Sequence, residues 1–94
     1  MKPPVRPHPT LPLARLLNHA ADAVQAVRAG ASLNAALAAC PAPARPGTQA
    51  LAFAVLRRLG TAQAIRVRLA PKAPPPAVDA LLLCALALLL PADE

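Results

Sequence analysis

The chain has 94 residues and a net charge of +6, from ten Lys and Arg against four Asp and Glu. That length allows one small domain at most, and 56% apolar against 15% charged residues excludes a disordered tail. The apolar mass is 25 Ala and 17 Leu with one Phe, no Tyr, no Trp and three Gly, which excludes a sandwich or barrel and predicts an all-α fold.

Prolines divide the chain, because each removes a backbone donor and pushes its predecessor out of helical geometry. The first cluster falls within residues 1–12, a Pro-rich tail. Its opening Met1-Lys2-Pro3-Pro4-Val5-Arg6-Pro7-His8-Pro9 interrupts any apolar core of a secretory signal, so a cytoplasmic location is expected. Residues 13–94 form the expected helical domain. Its first helix runs from Leu13 to Ala29, with Leu13, Leu16, Leu17, Ala20, Val24 and Val27 within an arc of about 100°. Such a helix is one-sided. Arg15, Asn18, His19, Asp22 and Gln25 lie opposite, Pro12 suits the start, and Gly30 suits a left-handed stop.

Ser32 is the expected N-cap of a short second helix from Leu33 to about Ala39, ended by Pro41. A third helix is expected from Pro46 or Gly47. Its apolar positions Leu51, Ala52, Phe53, Val55, Leu56 and Leu59 spread over about 200°, so it should touch neighbours on two sides. Arg57, Arg58 and Thr61 fill the remaining strip as a narrow basic ridge. Gly60 predicts a kink or a fresh start at Thr61, leading into a fourth segment that ends near Ala70. Pro74-Pro75-Pro76 then opens a fifth helix, with Asp79 in the dipole-favoured first turn. From Ala80 to Leu90 this helix is apolar on every face. Its 11 residues cover about half a bilayer core and span no membrane, so a covering body is expected, either a partner chain or further residues of a longer product.

The titratable inventory is Asp22, Asp79, Asp93, Glu94, His8, His19, Cys40 and Cys84, and no convergence on a catalytic or metal site is expected from it. His19 and Asp22, three residues apart, read as a weak surface pair. Cys40 and Cys84 have no CxxC spacing and read as buried free thiols. The arginines carry the functional expectation: Arg6, Arg15, Arg57, Arg58, Arg66 and Arg68 are candidate contacts to RNA phosphates. Base stacking contributes little to that expectation, because Phe53 is the only aromatic.

The order of segments resembles a known family. Leu13-Ala14-Arg15-Leu16-Leu17 opens a helix, Ala26-Val27-Arg28-Ala29-Gly30-Ala31-Ser32-Leu33 forms a corner, and Gln49-Ala50-Leu51-Ala52-Phe53-Ala54-Val55-Leu56-Arg57 forms a third-helix signature. Together with the Lys-Pro segment at 72–76 and the leucine-rich run at 81–90, they resemble the NusB-like N-terminal domain of the RsmB (Sun/Fmu) methyltransferases, which act on cytosine C5 of small-subunit ribosomal RNA. The likeness covers about Leu13 to Leu90 and rests on packing motifs. Ala54 and Ala85 stand where the family often has Gly, and Ala87 where it often has Tyr.

The resemblance implies an incomplete NusB-like bundle of about five helices that presents ribosomal RNA to a catalytic domain. It also implies that S-adenosylmethionine and the catalytic cysteines belong to that missing domain, so the chain carries no catalytic residue, metal or cofactor of its own. Two alternatives stand beside it. One is a free-standing NusB-type adaptor in transcription antitermination, binding RNA and a protein together; the other is a decayed fragment without function.

Overall fold

The computed structural model describes residues 12–91. The expectations for the Pro-rich tail, including Arg6 and His8, and for Asp93 and Glu94 lie outside that range. Five α-helices fill the described residues with no strand: α1 (Leu13–Arg28), α2 (Leu33–Ala38), α3 (Arg45–Arg57), α4 (Leu59–Leu69) and α5 (Pro76–Leu89), plus a short 3-10 turn at Ala42–Ala44. The all-α expectation therefore holds.

The corner between α1 and α2 follows directly from its residues. Gly30 adopts a φ of +114°, which an L side chain rarely tolerates. Around it the Gly30 N–H donates to Val27 O at 3.0 Å, and the Ala31 N–H donates to Ala26 O at 3.0 Å. This paired pattern satisfies the last carbonyls of α1 and turns the chain. Two residues on, the Ser32 hydroxyl accepts from the Ala35 N–H at 3.1 Å and starts α2.

α1 is less one-sided than its sequence suggests. Ala20, Ala21, Ala23 and Val24 are all buried, because α1 packs against α2, α3 and α5 at once. Alanines on the flanks of the stripe let neighbouring helices approach closely, so a wider arc is covered, while Leu13 at the helix start stays 61% exposed. The main core joins Ala20, Ala21, Val24, Val55, Ala62, Ala80, Leu83, Cys84 and Ala87, with Leu51, Leu56, Leu59 and Leu86 against it. It is a core of small side chains. Leu83, Val24 and Val55 are its largest fully buried members.

The chain breaks between α3 and α4 two residues before Gly60, at Arg58 (φ −116°, ψ 16°), and Gly60 lies inside α4. Arg58 is drawn away from helical geometry while its guanidinium reaches the far end of α5, donating from Nη1 to Leu90 O at 3.0 Å and, longer, to Ala87 O at 3.5 Å. The expected kink at glycine is thus replaced by a break at Arg58, the residue whose side chain ties this joint to the end of α5.

Phe53 also departs from expectation. Thr48, Ala52 and Val55 form the buried side of α3, and Phe53, counted among its apolar positions, is 48% exposed.

α4 and α5 form a hairpin. α5 is half covered: Ala80, Leu83, Cys84 and Ala87 face the bundle, whereas Val78, Leu81, Leu88 and Leu89 remain exposed. The expectation that its whole circumference needs a cover from another body narrows to that outer side. No helix among the described residues is long and apolar enough to cross a membrane.

Candidate nucleic-acid interface

The arginines expected to meet RNA divide into two groups. Arg15 in the first turn of α1, Arg57 at the end of α3 and Arg68 in the last turn of α4 are exposed. Arg58 and Arg66 are committed to the fold. Arg58 closes the C-terminal end of α5, where unpaired carbonyls and the helix dipole favour a cation. Arg66 donates from Nη1 to Ala70 O at 2.9 Å at the end of α4, and its Nε lies 2.8 Å from Asp79 Oδ1.

Asp79 is the electrostatic centre of the molecule. Expected to serve only the α5 dipole, it is buried at 7% exposure between two arginines, with Arg28 Nη1 at 3.5 Å from Oδ2. The contact between Arg66 Nε and Asp79 Oδ1 is close, but its N–H is not aligned on the oxygen and neither atom makes another hydrogen bond. Charge holds this pair. Its sequence signal was the register: Asp79 directly precedes Ala80 and stands four residues before Leu83, both of which face the core.

Two further cations carry structural work that the sequence did not reveal. Arg45 donates from Nε to Leu37 O at 3.1 Å and from Nη2 to Cys40 O at 2.9 Å, sealing the end of α2. Arg28 lines an open cleft of about 410 Å³ with Gln25, Pro74, Pro76 and Asp79. Lys72, in the connection between α4 and α5, is exposed.

His19, Asp22 and Cys40 share a cleft of about 260 Å³ between α1 and α2 whose remaining walls are alanine methyls. Proximity is all they share: His19 and Asp22 form no ion pair, and the Cys40 thiol donates to Thr48 Oγ1 at 3.5 Å. Cys40 and Cys84 are both buried free thiols, as expected. Burial in the apolar core pushes the Cys84 thiol up to about 11, so it stays protonated at neutral pH and is a poor nucleophile. Among the described residues no three His, Cys, Asp or Glu side chains come together to hold a metal.

On α3, Phe53 and Arg57 lie one helical turn apart and are both exposed, so an aromatic face and a cation occupy neighbouring surface positions. The overall balance among residues 12–91 is eight Lys and Arg against two acids, and one of those acids, Asp79, is consumed internally. Compared with family models, with curated proteins and with solved structures, the chain matches none.

Proposed function

We propose that the chain is an RNA-binding helical module of the NusB-like kind, as in the RsmB ribosomal RNA methyltransferases, working in the cytoplasm. The observation that carries the reading is the surface pair Phe53 and Arg57 in a molecule whose exposed Lys and Arg, among the described residues, outnumber the single exposed acid, Asp22. An exposed aromatic offers a base a stacking partner, and an adjacent guanidinium offers a phosphate its counter-charge. Arg15 and Arg68 add exposed cations on α1 and α4. Segment order supports this reading: the Gly30 corner, the Ser32 cap and α5 fall on segments that carry the resemblance.

The chemistry of methyl transfer is assigned to no residue here.

Binding of a fluorescein-labelled hairpin from small-subunit ribosomal RNA, followed by anisotropy, tests the reading. The Arg15→Gln, Arg57→Gln, Arg68→Gln triple variant is expected to bind at least tenfold more weakly, and Phe53→Ala to lose about 1–3 kcal/mol if one base stacks there. Equal affinity for wild type and both variants overturns it.

A further inference from the structure

We infer, on the footing of the RNA-binding role proposed above, that the outward face of α3 reads a single unpaired adenine: Phe53 stacks on the base, Gln49 bonds to its edge and Arg57 holds a phosphate beside it. Gln49, Phe53 and Arg57 stand four residues apart on α3 and all three are exposed. At about 100° per residue they fall within an arc of about 80°, with Cβ atoms about 5–6 Å apart from one turn to the next. Phe53 lies between the other two. Beside it on the helix, Ala50 and Ala54 offer only methyls on one flank, and Leu56 on the other packs against the core. Only the long polar chains of Gln49 and Arg57 stand close enough on α3 to meet whatever lies on the ring.

Chemistry selects the occupant. Inside a duplex each base face is covered by its neighbours, and the A-form major groove is too deep and narrow for side chains, so a ring on a helix surface meets only a base that has left the stack. Phe53 is the only aromatic of the chain, which limits the platform to one base. The Gln49 amide offers a donor and an acceptor side by side. Adenine answers with the N6 amino donor next to an acceptor on either edge, N7 or N1, whereas the N7 and O6 edge of guanine carries two acceptors, and a pyrimidine brings a smaller face to stack. Arg57 supplies the phosphate contact, and α3 has no acid to oppose it. A protein partner is the poorer match, because Phe53 is the only large apolar side chain exposed on α3 and a polar residue stands one turn away on each side, where the centre of a protein interface is contiguous and apolar.

The test uses the full chain and four fluorescein-labelled RNA hairpins sharing one stem and the loop UUXUU, with X as A, G, C or U, beside the same stem as a plain duplex. Anisotropy gives the affinities. The adenine loop is expected to bind at least fivefold tighter than the other three, the discrimination one bidentate base contact supplies, and at least tenfold tighter than the duplex. Gln49→Ala, at an exposed position that leaves the thermal melt unchanged, should bring the four loops within about twofold of one another without weakening the uridine loop. Phe53→Leu keeps an apolar side chain but no π-face and should lose at least fivefold for every loop. Phe53→Trp introduces the sole tryptophan, whose emission should be quenched by the adenine loop and not by the duplex. Equal affinity for the four loops, duplex bound as tightly as the adenine loop, a preference for adenine that survives Gln49→Ala, a Phe53→Leu variant that binds like wild type, or a tryptophan untouched by the adenine loop overturns the inference and leaves the RNA-binding reading standing. Failure of every RNA to bind overturns both.

Discussion

Replacing Asp79 by Ala removes the one acid that two helices share, and the cost can be built from the surroundings. The Arg66 side chain is 12% exposed and loses its only counter-charge, 2.8 Å away. Removing one partner of a buried ion pair costs about 3–5 kcal/mol, because the remaining charge is left uncompensated out of water. Two features place this case at the lower end. Arg66 keeps its hydrogen bond to Ala70 O, and Arg28, with a side chain 34% exposed at 3.5 Å, contributes a screened contact of only about 0.2–1 kcal/mol. The working figure is about 3 kcal/mol, a large part of the roughly 5–15 kcal/mol available to a small domain. At roughly 4–8 °C per kcal/mol for a domain of this size, the melting temperature should fall by about 12–24 °C. Urea denaturation by circular dichroism measures the free energy, and calorimetry the midpoint. The companion variant Asp79→Leu with Arg66→Met should return to within about 1 kcal/mol of wild type, since apolar replacement of both partners leaves no buried orphan charge and Arg28, with its side chain 34% exposed, stays solvated. A loss below 1 kcal/mol for Asp79→Ala, or a double variant as unstable as the sum of the two single ones, refutes the idea that this pair organises the joint between α1, α4 and α5.

Other outcomes follow from single positions. Gly30→Ala should lose about 1–2 kcal/mol because its φ of +114° strains any side chain, whereas Gly60→Ala, inside α4 with open space around the added methyl, should gain about 0.5–1 kcal/mol; paired urea titrations check the opposite signs. Leu83→Ala should cost about 3 kcal/mol, since the side chain is fully buried in the main core, read from the same titrations. For Cys84 the folded thiol sits at about 11 against an ordinary value of 9.0, so the neutral form is favoured by folding. Its contribution is complete below pH 9 and is lost as pH rises toward 11, a decline of roughly 2–3 kcal/mol that Cys84→Ala should not display in stability measured across that window.

How far the sequence foretold this molecule depends on the range of the force involved. The helix order is readable because prolines and caps act locally: Ser32, Gly30 and Pro76 work within four residues of where they stand. The α3–α4 break was placed at Gly60 by local propensity, yet it occurs at Arg58, where bonds to α5 across about 30 residues of sequence decide. The arginine set suffered in the same way. Composition marks all of them as surplus charge, and only tertiary placement separates Arg57 and Arg68, free on the surface, from Arg58, Arg66 and Arg45, which satisfy backbone carbonyls. Phe53 eluded the helical wheel because small residues around it, Ala52 and Val55, complete the core without it.

The claim most exposed to test is that the unmatched cations bind RNA phosphates. Affinity for the ribosomal RNA hairpin measured from 50 to 300 mM KCl should give a log–log slope of about −2 to −3, three phosphates neutralised at 0.7–0.9 each by Arg15, Arg57 and Arg68. A slope indistinguishable from zero, or one unchanged when those three become Gln, contradicts the account.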